Sequence, residues 1–168
     1  MKDEAKSQLQ KIVGDYDKKL AESEREAAAK RAASAAFPGR FVALKTGIIQ
    51  PAMQELADIL NERGHEASVR EQEESSSTVG GVKSAAIWLR VVPKPFAHKS
   101  AETHPITVEI AFSANRSERK VTVASTNTMI GHSGTVGKCG EYEIDAVTAD
   151  VVASHVIQTL GEAFGGTR

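Results

Sequence analysis

The residues most capable of chemistry in this sequence are concentrated in the stretch 131–140, GHSGTVGKCG. It holds four glycines, a Gly-Lys pair and Cys139, the only cysteine of the chain. A phosphate-binding loop needs Gly, four residues and then Gly-Lys-Ser/Thr, placed between a strand and a helix. Gly131 is one residue too early for the pair at Gly137 and Lys138, Cys139 replaces the hydroxyl residue, and the following EYEID has a strand pattern. The stretch is therefore predicted to be a flexible connection, with a small backbone site for an anion as the alternative.

Cys139 could also act as a nucleophile, because Lys138 and His132 lie close to it in the sequence. A cysteine-dependent enzyme is therefore one hypothesis. Metal ligands would have to come from His132 with Cys139, or from His98 with His104, and neither pair has the spacing of known ligand pairs. No Ser-His-Asp arrangement is recognisable in the sequence. We expect no catalytic site, no metal and no cofactor.

Two further histidines are predicted to be structural. His155 lies among the apolar residues of the last helical pattern, where a histidine at the solvent edge or one held by a hydrogen bond is the usual structural role. His65 follows the end of the second helical pattern, where it could interact with the helix dipole.

A group of basic residues supports a second binding hypothesis. Residues 85–140 carry seven basic and three acidic side chains, although the whole chain has a net charge of −1. Arg116, Arg119 and Lys120 lie at a predicted hairpin tip, and Lys138 lies in the Gly-rich loop. Basic side chains near aromatic ones can bind single-stranded nucleic acid. These four residues are the alternative site, for a small anion or single-stranded nucleic acid, although the modest charge does not favour nucleic acid as the partner.

The sequence predicts that residues 1–37 form an extended helical arm. They are rich in Ala, Glu, Lys and Arg, which favour helix, and Phe37-Pro38-Gly39 is expected to end it. The larger apolar residues recur at spacings of three and four, so they form one stripe, which comprises Leu9, Ile12, Val13, Tyr16 and Leu20. Such a stripe needs a counterpart on another surface. The leading functional hypothesis is therefore a non-enzymatic interaction or adaptor module, whose arm oligomerises or docks on a partner protein.

Residues 38–168 are predicted to form a single α+β domain. A helical pattern over residues 41–63 contains Pro51 and predicts a kinked helix, with a short strand over 41–44 as the alternative. A second helical pattern predicts a helix over residues 148–164.

Alternation with a period of two predicts the strands between these helices. The candidate strands are 66–73, 85–92, 106–112 with 121–123 as a hairpin, and 142–144, and the Ser/Gly-rich stretch 74–84 is predicted to be a loop. The most apolar of them, 85–92, is expected to be central and covered on both faces. Because strands and helices do not alternate, we expect a mainly antiparallel meander of four to five strands with both helices packed on one face.

The length and composition favour a soluble cytoplasmic protein. A chain of 168 residues suits one domain with an appendage. A lone cysteine fits a reducing compartment. No secretory signal and no apolar run of bilayer length is visible, so we expect no membrane partner.

Overall fold

A computed structural model describes the chain over residues 3–77, 80–97, 106–128 and 135–165. The chain divides into two compact units, Met1–Ala36 and Phe37–Arg168. The described part of the first unit, residues 3–36, is the arm, and residues 37–165 belong to the second unit. That residues 38–168 fold as an independent domain stays a prediction.

The first helix, α1, spans Asp3–Leu44 and continues through the residues expected to end it. The prediction that Pro38 and Gly39 terminate the helix is wrong. Proline removes one backbone hydrogen bond from a helix. Phe37 and Phe41, four residues apart on one face, are both buried in the core. Burying two aromatic side chains offsets the lost hydrogen bond, so the helix persists.

A π-helical segment, Lys45–Ile49, follows α1 and leads into α2, which spans Gln50–Glu62. The backbone N–H of Gln50 donates to the carbonyl of Lys45, five residues earlier. This wider turn comes directly before Pro51, which has no N–H to continue the ordinary pattern. The sequence predicts a kinked helix over residues 41–63, and the structure has this π-helical segment between the end of α1 and α2. The alternative of a strand over 41–44 is wrong, because those residues are helical.

The described residues between α2 and the last helix form seven strands. Their bounds are β1 Glu66–Gln72, β2 Ser75–Ser77, β3 Gly81–Lys83, β4 Ala86–Val92, β5 Val108–Asn115, β6 Lys120–Asn127 and β7 Thr135–Glu143. Five of them form one sheet in the order β1-β4-β5-β6-β7, and all neighbouring pairs are antiparallel. The predicted α+β class and the antiparallel meander are confirmed.

One face of the five-stranded sheet carries the core. Along β5, Val108, Ile110 and Phe112 are fully buried, whereas the residues between them are half-buried. Helix α2 packs against β1 and β4, and α3, which spans Ala149–Gly165, packs against β5 and α2. The two helices cover the same face of the sheet, as the sequence predicted.

The predicted loop 74–84 contains secondary structure. Strands β2 and β3 pair as a small antiparallel hairpin within it. Gly81 adopts a φ of 73°, which glycine accepts readily, so the chain can turn back on itself there. Short-range pairing of this kind leaves no apolar alternation in the sequence, which is why the pattern did not reveal it.

Two other strand predictions need correction. Strand β7 begins at Thr135, inside the stretch predicted as a flexible connection, and it ends before Ile144, which lies in a 3₁₀ turn. Pairing with β6 holds the glycines of β7 in the sheet through backbone hydrogen bonds. Strand β4 is an inner strand, but only one of its faces is fully covered, since Trp88 and Arg90 on the other face are half-buried.

Candidate functional site

The apolar stripe of the arm is exposed along its whole length. All five predicted residues expose between 46% and 66% of their surface, and they are Leu9, Ile12, Val13, Tyr16 and Leu20. Soluble proteins tolerate single exposed apolar residues, but a contiguous row on one helix indicates an interaction surface. The structure therefore leaves the stripe available to another molecule.

Four of these residues follow the heptad repeat of a coiled coil. Leu9, Val13, Tyr16 and Leu20 are spaced by four, three and four, which places them at positions d, a, d and a. Ile12 lies beside them at position g. Beyond Leu20 the same positions hold Ser23 and Ala27. We call the d and a residues from Leu9 to Ala27 the seam.

The four basic residues of the alternative site lie around the β5–β6 hairpin and the neighbouring strand β7. Arg116 donates from Nη1 to Oε1 of Glu74 at 2.6 Å. Lys120 and Lys138 both pair with Glu141, Lys120 at 3.3 Å. The hydrogen bond from Lys138 is the main reason that the pKa of Glu141 is lowered to about 2.

These ion pairs reduce the positive charge that an anion would meet. Glu141 forms ion pairs with Lys120 and Lys138, and Glu74 forms an ion pair with Arg116. Arg119, the fourth residue, occupies the turn of the hairpin with a φ of 56°. The sequence placed Arg116, Arg119 and Lys120 correctly at a hairpin, whereas Lys138, predicted to lie in a loop, lies in strand β7. It did not reveal the pairing of Glu74 with Arg116, because 42 residues separate them.

Tyr142 on β7 and His155 on α3 form a polar contact between the sheet and the helix. The Tyr142 hydroxyl and His155 Nε2 are 2.6 Å apart, and the two rings meet edge to face. Phe112 also packs edge to face with the imidazole, with ring centroids 6.1 Å apart. Burial lowers the pKa of His155, which favours the neutral ring. The structure thus agrees with the prediction of a hydrogen-bonded structural histidine.

Gly140 is what allows this contact. A Cβ atom at Gly140 would lie 2.9 Å from Cε2 of Tyr142 and 3.2 Å from Nε2 of His155. A side chain there would therefore displace one of the two rings. The glycine spacing in the sequence did not single out Gly140, because its requirement comes from the way the Tyr142 ring is held against His155, which lies on a helix 15 residues further along the chain.

A shallow surface cavity of about 340 Å³ lies beside this contact. Its lining residues are Tyr142, Asp150, Val151, Ser154, His155 and Gln158. The imidazole is bonded to a tyrosine hydroxyl, and the remaining polar groups lie on successive turns of α3. We assign the cluster a structural role, since it ties β7 to α3.

Cys139 is the extra residue at a β-bulge in β7, opposite Val123 and Ala124. Its thiol is exposed and lies 3.0 Å from the hydroxyl of Ser125. Lys138, its predicted activating neighbour, is bonded to Glu141 instead. Among the described residues, the contacts of this thiol are a hydroxyl and a backbone carbonyl, which do not supply a general base.

His65 follows the end of α2, and its interaction with the helix dipole stays a prediction. Its Nδ1 accepts a hydrogen bond from the backbone N–H of Lys94 at 3.1 Å, and its ring stacks on Phe164 at 5.3 Å. His98, His104 and His132 lie outside the described residues. Within the described ranges, no three His, Cys, Asp or Glu side chains come together as a metal site.

None of the protein-family models, curated proteins and solved structures compared with this chain matches it. In the part of the chain that the structure describes, no helix combines the length and the apolar character needed to cross a bilayer.

Proposed function

We propose that this protein is a non-enzymatic interaction module that associates with a second copy of itself through the seam of its arm. The observation that carries this proposal is the exposure of four large apolar side chains at heptad positions. A heptad pattern is self-complementary, because the a and d residues of one helix fit between those of an identical helix. A second copy of the chain therefore supplies the counterpart that the arm needs.

The association is expected to be weak and to depend on concentration. Fully burying a Val or Leu side chain is worth about 1.5–3 kcal/mol. The seam residues are already about half covered by their own helix, so each gains roughly half of that amount. Association must also overcome a loss of translational and rotational freedom of at least about 4 kcal/mol. A dimer buries four large residues from each copy, which together gain about 6–12 kcal/mol. Because the loss of freedom can exceed 4 kcal/mol, the surplus is modest, which suits a reversible dimer.

Sedimentation of the full chain over a range of concentrations tests the proposal. The wild-type protein should shift from monomer towards dimer as its concentration rises. Replacing both Leu9→Gln and Leu20→Gln should hold it as a monomer, and glutamine preserves the helix because it is a good helix former.

A matched control is available on α3. Ile157 is 64% exposed, similar to the seam residues, but it lies in the second unit. Ile157→Gln should therefore dimerise like the wild type. The proposal fails if the wild-type chain stays monomeric throughout, or if the Leu9 and Leu20 substitutions leave the association unchanged.

The alternative function, binding of a small anion or single-stranded nucleic acid at Arg116, Arg119, Lys120 and Lys138, has less support. Three of these four side chains are paired with Glu74 or Glu141. If it were correct, polyphosphate or an oligonucleotide would raise the melting temperature, and Arg116→Glu with Lys138→Glu would abolish that rise. We place the protein in the cytoplasm, a proposal supported by its single cysteine.

A further inference from the structure

The positions that flank the seam carry charges of both signs. In the heptad frame set by Leu9 and Val13, the g positions Ile12, Lys19 and Glu26 are followed five residues later by the e positions Asp17, Glu24 and Arg31. All six side chains are exposed. In a coiled coil, e and g residues of the two helices meet across the seam and select the orientation of the partners.

Two parallel helices in register, with each residue beside the same residue of the second copy, bring opposite charges together at these positions. In that arrangement a g residue meets the e residue five positions further along the other helix. Lys19 meets Glu24 of the second copy, and Glu26 meets Arg31 of the second copy. Each contact occurs twice because the dimer is symmetric, so the parallel arrangement forms four ion pairs of opposite charge.

An antiparallel pair that keeps the seam matched gains nothing from the same charges. This arrangement sets Leu9 opposite Leu20 of the second copy. In it, e residues contact e residues of the other helix, and g residues contact g residues. Ile12 would meet Lys19, and Asp3, which also occupies an e position, would meet Glu24, a pair of like charges.

We infer that the arms pair in parallel and in register, with Lys19–Glu24 and Glu26–Arg31 as the contacts between copies that select this orientation. The inference rests on the proposed function, because it specifies how the two copies meet. Exposed ion pairs contribute little stability singly. Their role here is to distinguish two arrangements that bury the same apolar residues.

Disulfide trapping in a Cys139→Ser background tests the orientation. Ser23 occupies a d position, so Ser23→Cys places two thiols side by side in a parallel, in-register dimer, and oxidised glutathione should link them. In the antiparallel alignment, residue 23 lies opposite residue 6. The two copies of residue 23 would then be about 25 Å apart along the helix, too far to bridge.

Ser7→Cys is the matched control, since Ser7 is an exposed serine of the same helix on the side away from the seam. The Ser7→Cys variant should form a disulfide between copies much more slowly than the Ser23→Cys variant. Lys6→Cys and Ser23→Cys chains are then mixed, oxidised and mapped by peptide mass spectrometry. The parallel arrangement should give disulfides that join residue 23 of one copy to residue 23 of the other. Dominant links between positions 6 and 23 would overturn the inference, as would equal linking of the Ser7→Cys control.

A charge exchange supplies a second readout that needs no thiol. Glu24→Lys should weaken dimerisation roughly tenfold, because two attractive pairs become repulsive. Adding Lys19→Glu should restore it. If Glu24→Lys has no effect, the orientation inference is wrong although the seam still dimerises. If the wild-type chain never dimerises in sedimentation, the proposed function fails and the inference fails with it.

Discussion

The buried ion pair between Lys45 and Glu71 should respond very differently to the loss of each partner. Lys45 lies in the π-helical segment and Glu71 on β1, with Nζ and Oε2 2.7 Å apart. The lysine side chain is 4% exposed, whereas the glutamate side chain is 35% exposed. We predict that Glu71→Gln destabilises the second unit more than Lys45→Met, although both substitutions remove the same pair.

The expected magnitudes follow from which charge is left behind. Removing one partner of a fully buried pair costs about 3–5 kcal/mol, since the other charge stays unpaired in the interior. Glu71→Gln leaves the ammonium group of Lys45 buried, but the amide oxygen can still accept its hydrogen bond, so we expect a loss of about 2 kcal/mol. Lys45→Met fills the same space with an apolar chain, and Glu71 can turn towards water. The loss should then be less than about 1 kcal/mol.

Urea unfolding followed by Trp88 fluorescence provides the assay. Trp88 is the only tryptophan of the chain and lies half-buried in β4, next to β1. The double variant Lys45→Met with Glu71→Gln should be close in stability to Lys45→Met, because it contains no unpaired buried charge. Equal losses for the two single variants, or a larger loss for Lys45→Met, would refute the reasoning.

An exposed pair offers the matched control. Arg40 and Asp145 are 2.5 Å apart, but both side chains are more than half exposed. Asp145→Asn should therefore cost at most about 1 kcal/mol, because water solvates whichever charge remains.

Three further predictions concern the polar contact and the hairpin turn. Gly140→Ala should lower the free energy of unfolding by about 1–3 kcal/mol, because its Cβ would overlap Tyr142, and an unchanged urea midpoint would contradict this. Burial lowers the pKa of His155 in the folded chain below the ordinary value of 6.5, so the unfolded chain binds the proton first. Stability should therefore fall as the pH drops below about 6.5, and His155→Leu should flatten this part of the profile relative to the wild type. Arg119→Gly should raise stability by about 1 kcal/mol, since Arg119 has a φ of 56°, and no rise in the melting temperature would show that the turn is unstrained.

The sheet could be predicted from the sequence because its strands show a local alternation of apolar and polar residues. Val108, Ile110 and Phe112 alternate with half-buried residues, and that alternation defines a strand with one buried face. The predictions failed where distant contacts outweigh local preference. Pro38 lies inside α1, because the core that surrounds Phe37 and Phe41 is assembled from residues far away in the chain.

The candidate interaction surface was predictable for the same local reason. The spacing of Leu9, Val13, Tyr16 and Leu20 on a helix depends only on 3.6 residues per turn, so the sequence alone determined the stripe. The structure adds that the stripe is exposed, which spacing cannot establish.

Other features were decided only by the tertiary structure. The partnership of Lys45 with Glu71, and that of Tyr142 with His155, joins a strand to a helical segment across the interior. Such pairs have no periodic signature, since their geometry depends on how the sheet and the helices pack. The sequence determined the three helical regions and the apolar strands of the sheet, whereas packing determined which polar groups were buried and therefore had to find a partner.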